Sequence, residues 1–548
     1  MGYHEADDFS DVGHQEVNPI QAKSSTPAAS ENAPGALRLF HPPSWQEAFD
    51  FLRRNIALVT LIVITFVFQA SLFHVTVPND FPDSGAYRDI AQRMLTGRTE
   101  YNTFEFRTPG YPSFLALCYF FSGSNTWMPV ISVQFLCGSL IPVLLYFIYL
   151  RICRNTWVAA AGGLGFFLDR FSVNLQAVPL TEFLGGFTVV LALCAFLWGT
   201  DRKKYWTAVI VGLLFYLNLM IRPSFQLLVF CTTLGGFGLE MIYREARCQW
   251  KRAALWYGIV LLTTQLGVWA WSYRNYKKMG VFALSYQLGA SMTNQTGSFM
   301  ELAPDEFAEV RDAYIRARDK SKGNHINLYD QMAWQMIDDT GLKGWQLSLE
   351  FKKVNSWLIR HHFFDKYWPQ VQFAWWRLWS DSPMYMTDLT DSYQHPSHQT
   401  LPTPQALYLL RNPFLGRIYG PIDNYYWRSP NAPRRTPYLL FLVFAIAVWC
   451  YRKSSASVIG IVIIVGTVFY HMLLHAMVQF TEFGRYRLPI QPLWVSFFVA
   501  MLAAGVSWLI HRGKGILEPE KAAKPEVAKA GETGRLGRTK RAARKGKR

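Results

Sequence analysis

The chain keeps returning to apolar runs of about 20 residues, each long enough to cross the hydrocarbon core of a bilayer as a helix. The runs lie near 56–77, 128–150, 156–174, 179–201, 205–221, 224–243, 254–272, 438–451, 457–478 and 489–510. Only 17% of residues are charged and 51% are hydrophobic, against about a quarter charged in soluble domains. The sequence therefore predicts an all-α polytopic membrane protein with about 10 transmembrane helices.

Basic residues order these runs. Arg53 and Arg54 precede the first, Arg151 and Arg154 follow the second, and Arg202, Lys203 and Lys204 follow the fourth. Arg244, Arg247, Lys251 and Arg252 separate the sixth from the seventh, and Arg452 and Lys453 follow the eighth. Under the positive-inside rule these loops face the cytoplasm. Both termini are then cytoplasmic, and the chain sits in the cytoplasmic (inner) membrane. The net charge is +17, and the tail 512–548 supplies about half of it, with thirteen Lys or Arg against four Glu. On a membrane protein such a tail marks the cytoplasmic side and touches anionic lipid, so membrane lipids are expected partners and nucleic acid is not. Residues 1–50 are polar and read as disordered. The first run starts too late for an ordinary signal peptide and reads as an uncleaved anchor. Seven cysteines without CxxC spacing give neither a disulfide framework nor a zinc motif.

Two regions fall outside the cytoplasm in this topology. The first loop, 78–126, carries an amphipathic helix at Ser84–Leu95 and a second short helix at Pro112–Phe121. The larger region, 273–436, reads as mainly helical, with helices at 304–320, 327–341 and 346–361, a Trp-rich belt at 363–380 and proline-rich loops at 395–404 and 429–437. The runs 437–511 close the membrane domain. No internal repeat is visible, which disfavours an inverted-repeat transporter.

Polar groups collect at the non-cytoplasmic ends of the runs: Asp83, Arg107, Glu182, Arg222, Arg274, Glu482, Arg485 and Arg487. Ionisable groups at membrane depth face a wet cavity and carry function. Several guanidinium forks beside a few carboxylates suit an anionic lipid head group together with a hydroxyl or sugar. Each group also has a plainer reading. Asp83 and Glu182 sit where a helix starts and can serve its cap or dipole. Arg107-Thr-Pro-Gly-Tyr-Pro can be a turn. Arg222, Arg274 and Arg485 can snorkel to lipid, and Arg487 reads as interfacial. His471 and His475, four apart on one run, suit packing or hydrogen bonding better than a metal. Trp375, Trp376 and Trp379 read as belt residues. Asn294-Gln295-Thr296 fits a glycosylation sequon.

The order of these motifs resembles the GT-C glycosyltransferases. The motifs are Asp83 with Tyr87, Arg107 to Pro112, Leu180-Thr181-Glu182, Arg222-Pro223, Tyr273-Arg274-Asn275 and Arg485-Tyr486-Arg487-Leu488-Pro489. Within that superfamily they are similar to bacterial protein O-mannosyltransferases, the aminoarabinose transferase of lipid A and rhizobial galacturonosyltransferases. The resemblance covers about residues 56–300 and 480–495 and implies a transmembrane catalytic module over 51–300. It implies an inverting transferase that moves a sugar from a polyprenyl-phosphate carrier to a lipid, glycan or protein acceptor at the extracytoplasmic face. Asp83 takes the catalytic position, with Asp80 as its rival. Arg222, Arg274 and Arg485 would bind the donor phosphate, and Tyr87, Arg107, Tyr111, Glu182, Asn275 and Tyr486 the substrates. No cofactor is called for, with a divalent metal kept as an alternative. Ser84 stands where protein mannosyltransferases often carry a second acidic residue, which favours a lipid or glycan acceptor over protein. The alternative activity is a transporter or flippase of a lipid-linked sugar.

Overall fold

The computed structural model describes residues 50, 52–97, 107–243, 249–321, 331–381, 403–422, 432–480 and 483–510. The expected disordered start (apart from Asp50), the basic tail 512–548, Arg244, Arg247 and Glu482 lie outside the described residues. All elements below belong to the unit that begins at Asn55. No strand occurs among the described residues.

Seven helices among them are long and apolar enough to cross a membrane, and three shorter apolar helices take the places of the remaining expected runs. The chain is thus a multi-pass, all-α membrane protein. The first crossing is α1 (Ile56–His74). It leads into two short helices of the first loop, α2 (Pro82–Leu95) and α3 (Gly110–Ser122). Then come α4 (Trp127–Cys153), α5 (Thr156–Leu164), α6 (Arg170–Asn174), α7 (Thr181–Arg202) and α8 (Tyr205–Ile221). The helices α9 (Gln226–Ile242) and α10 (Trp250–Met279) follow.

The expected third crossing, 156–174, is not one helix. After α5 the chain tightens into a 3₁₀ turn at Gly165–Leu168, stops at Asp169 and restarts as α6. The cause is local. The Asp169 carboxylate accepts the backbone N–H groups of Phe171 and Ser172, at 3.2 and 3.1 Å, so a side chain replaces the helical acceptors at this break. The turn between α4 and α5 is set by Arg154 in the left-handed conformation (φ 54°) and by Asn155, whose side chain accepts from the N–H groups of Trp157 and Val158.

The region beyond α10 is helical as expected. Its described elements are α11 (Gln287–Thr296), α12 (Ala308–Lys320), α13 (Gln331–Thr340), α14 (Gly344–His361), α15 (Trp368–Ser380), α16 (Pro404–Arg411) and α17 (Leu415–Ile422). The last four are α18 (Ala432–Tyr451), α19 (Ser455–Val478), α20 (Phe483–Arg487) and α21 (Gln491–Ile510). Two proline-rich stretches read as loops behave differently where described. Pro404 opens α16, where a missing N–H costs nothing. The helix α18 already runs from Ala432 rather than from 438.

The helix α10 carries Tyr273-Arg274-Asn275 and continues to Met279. Two further expectations are corrected. Trp379 is not a belt residue: it is fully buried and packs on Trp375, Phe469 and Trp494. Arg487 is not interfacial. It is fully buried, and its guanidinium donates to the carbonyls of Leu378, Trp379 and Asp381 at 2.7, 2.8 and 3.1 Å. Those carbonyls end α15 and have no acceptor role left inside the helix, so Arg487 satisfies them.

At the bundle end opposite the candidate site, Arg151 is not a free topogenic charge. Its guanidinium grips Asp201 through two bonds of 2.8 Å and donates to the carbonyl of Ala456 at 2.6 Å, tying α4, α7 and α19.

Candidate functional site

The site is built at the tips of α2, α7, α8 and α20. Helix α2 starts at Pro82 after an extended Phe81, and the Phe81 N–H donates to the Ser84 hydroxyl at 3.2 Å. Ser84 therefore supplies the cap, which leaves the Asp83 carboxylate, in the first turn, for other partners. One oxygen accepts from Arg107 Nη2 at 2.8 Å and the other from Arg485 Nη2 at 2.6 Å. Asp80, the rival position, is exposed.

Arg485 is shared. Its Nε donates to Glu182 Oε1 at 2.7 Å while its Nη2 holds Asp83. Glu182 lies at the start of α7, is 1% exposed, and also pairs with Arg222 Nη1 at 3.3 Å. Arg222 Nη1 donates to the Thr181 hydroxyl at 3.1 Å, and that hydroxyl donates to Glu182 Oε2 at 3.2 Å. The result is a chain of alternating charge, Arg107–Asp83–Arg485–Glu182–Arg222, with three guanidiniums and two carboxylates. A buried charge survives only when paired in this way. Arg222 Nε is buried and unpartnered.

Aromatic rings frame the charges. The Arg107 guanidinium sits 4.1 Å from the Tyr87 ring centroid, and Tyr87 meets Tyr111 edge to face at 5.1 Å. Tyr111 is fully buried and donates to Gln134 Oε1 at 3.2 Å; Gln134 in turn donates to the carbonyls of Gln176 and Val178. Phe81 lies 4.9 Å below Arg485, and Tyr486 lies 6.0 Å from Arg485 and 5.9 Å from Arg222. His475 stacks on Tyr486 at 4.8 Å, and His471 Nε2 is 2.7 Å from the Tyr486 carbonyl. The histidine pair thus supports the segment that carries Arg485.

The sequence motifs Asp83, Tyr87, Arg107, Tyr111, Glu182, Arg222, Arg485 and Tyr486 meet in this one network. Arg274 and Asn275 have a different described neighbourhood. Arg274 donates to Asn275 Oδ1 at 2.8 Å and lies over Trp271, while the Asn275 amide donates to the carbonyls of Ala283 and Leu284. Phe81 and Gln134 were not singled out in the sequence, and Thr181 only as part of the Leu180-Thr181-Glu182 motif. Gln134 carried a signal, an amide in the middle of an apolar run; Phe81 carried none.

Burial alone would raise the Asp83 pKa, but Arg485 and then Arg107 outweigh it and hold the carboxyl well below the usual carboxylate range. Among the described residues no group of three or more His, Cys, Asp or Glu is arranged to hold a metal ion. Asp83 and Glu182, the two carboxylates present, both face guanidiniums. The Asn294-Gln295-Thr296 sequon is at most 1% exposed and ties α11 to α19 through Gln295 and the carbonyls of Ala476 and Gln479. It is a packing element in the folded chain.

No family model and no curated protein sequence matches the chain. Among solved structures it is similar to the archaeal oligosaccharyltransferase AglB from Archaeoglobus fulgidus in complex with an inhibitory peptide and a dolichol-phosphate. The identity is 11%, the TM-score is 0.43, and the match covers 84% of this chain and 52% of that one. The same enzyme in complex with Zn and sulfate gives 11% identity and a TM-score of 0.42, over 83% and 50%. ArnT from Cupriavidus metallidurans bound to undecaprenyl phosphate gives 13% identity and a TM-score of 0.31, over 77% of each chain. The chain spans about half the length of the oligosaccharyltransferase it matches.

Proposed function

We propose that this chain is an integral-membrane glycosyltransferase of the GT-C kind, drawing its sugar from a polyprenyl-phosphate carrier and working by inversion at the extracytoplasmic face. One observation carries the reading: two carboxylates, the partly exposed Asp83 and the buried Glu182, alternate with a run of arginines gathered from the first loop and from the tips of α8 and α20. Asp83 accepts the proton of the acceptor hydroxyl as its oxygen attacks the anomeric carbon. The bond from that carbon to the phosphate oxygen breaks, and the carrier leaves as polyprenyl phosphate. Arg485 and Arg222 hold the phosphate and stabilise the charge that grows on it. Tyr87, Tyr486 and Phe81 supply apolar walls beside the sugar.

The test is Asp83→Asn in a deletion strain, read by mass spectrometry of outer-surface glycans and lipids. The expected outcome is loss of one sugar modification in the deletion, with transfer by the variant down by about 10²- to 10⁴-fold, the usual worth of a general base. Full complementation by Asp83→Asn ends the catalytic assignment. Translocation of a lipid-linked sugar that survives the substitution, with no transfer in the wild type, would select the flippase instead.

A further inference from the structure

The cluster is closed on itself. Arg485 has Asp83 Oδ2 at 2.6 Å on one side and Glu182 Oε1 at 2.7 Å on the other, so it is spent on protein carboxylates. Asp83 in turn has both oxygens on guanidiniums, at 2.6 and 2.8 Å. A carboxylate held that way is a poor proton acceptor, and a guanidinium held that way is not free for phosphate. The two carboxylates are not equivalent. Glu182 is 1% exposed and also carries Arg222 and Thr181, whereas a third of the Asp83 side chain is exposed. The exposed contact is the one that opens at lower cost.

We propose that the donor head group itself switches the site on: its phosphate displaces Asp83 from Arg485, while Glu182 keeps Arg485 and Arg222 in place. In this scheme Glu182 is a positioning residue that never touches the reacting atoms. Asp83 is an internal competitor of the phosphate until the donor arrives and a base afterwards, retaining Arg107 as its one partner. The device frees the base only when a lipid phosphate is seated on Arg485. It rests on the proposed polyprenyl-phosphate donor and predicts something that donor alone does not: removing the catalytic carboxylate strengthens lipid-phosphate binding.

The experiment measures binding of undecaprenyl phosphate to the purified full chain in detergent, for wild type, Asp83→Asn, Asp83→Ala and Glu182→Gln, with inorganic phosphate as a second probe and a thermal melt as the folding control. The Asp83 variants should bind the lipid phosphate about tenfold more tightly, as expected when one competing charge-assisted hydrogen bond is removed. Glu182→Gln should bind more weakly, because Arg485 and Arg222 lose their anchor. Unchanged or weaker binding in both folded Asp83 variants overturns the switch and leaves the proposed function standing. A wild type that ignores undecaprenyl phosphate, or binds inorganic phosphate equally well, overturns the lipid-linked donor and the switch with it.

Discussion

Arg485 and Arg487 are two residues apart in the same short helix, yet they do opposite things. A helix turns through about 200° in two residues, so one guanidinium faces the carboxylates and the other faces the end of α15. Sequence reading set them apart, Arg485 for the donor phosphate and Arg487 at the interface, but it misplaced Arg487, whose partners are backbone carbonyls with no sequence signature. The distinction is measurable. Arg487→Met leaves three carbonyls without their donor and should cost about 3 kcal/mol of stability, seen as a lower unfolding temperature in detergent. Lipid-phosphate affinity of the folded fraction should stay near wild type. Arg487→Lys should rescue little, since an ammonium cannot spread three bonds over that fork. Asp83 gives a second residue-scale expectation. Facing it are Arg107 from the loop, which also lies over the Tyr87 ring, Arg485 from α20 and, beyond Arg485, Glu182 from α7. Its folded pKa lies below the unfolded value, so its ion pairs are fully present above the unfolded carboxylate range and are lost only as pH falls through the lower folded value. The acid limb of kcat/KM, which reports the free enzyme, should therefore not show an ordinary Asp titration. If the proposed switch operates, the limb of kcat should lie at higher pH, because the donor would then hold Arg485. Coincident limbs at an ordinary carboxylate pKa would contradict this.

At the level of elements, the crossings were legible because a bilayer demands long apolar helices and the chain supplies them in order. The failure at 156–174 had a visible cause: Asp169 and Arg170 interrupt the run, and a buried carboxylate there captures backbone N–H groups. Helix extent was less legible at α10 and α18, where nothing in the sequence stops the helix at the membrane surface. Close approach between elements was legible only as isolated glycines. A Cβ on Gly110 would stand 2.5 Å from the Met220 carbonyl, jamming α3 against α8 just before Arg222. A Cβ on Gly186 would stand 2.8 Å from the Pro489 carbonyl oxygen, forcing α7 away from the segment that follows Arg485. Both contacts are with backbone, which cannot rotate aside. Gly186→Ala should therefore cost about 1–3 kcal/mol of stability, and, by moving Glu182 relative to Arg485, it should lower lipid-phosphate affinity in the same preparation. A stable Gly186→Ala protein with wild-type affinity would show that α7 and α20 need not be held so closely.

At the scale of the molecule, the candidate site joins groups separated by up to 402 positions, Asp83 and Arg485. Periodicity and charge put their helix ends at one depth but say nothing about which ends are neighbours; the ordered motif resemblance supplied that expectation, and the structure draws eight of the ten named residues into one network, while the described contacts of Arg274 and Asn275 are with each other, Trp271, Ala283 and Leu284. Arg274→Ala should accordingly reduce transfer by less than Arg485→Ala does, in the same assay. The remaining molecular question is which leaflet the network faces, and loop charge supplies a prediction: Arg452 and Lys453, both exposed, lie at the opposite end of α19 from the residues that support Tyr486, so the positive-inside rule puts the network on the extracytoplasmic side. In a cysteine-free background, a cysteine at exposed Asp80 should react with a membrane-impermeant maleimide in intact cells. A cysteine at Arg452 should react only after permeabilisation. The reverse pattern would put Asp83 and its arginines on the cytoplasmic leaflet, where an extracytoplasmic acceptor could not reach them, and the proposed transfer would have to be abandoned even if the ion-pair network itself were correct.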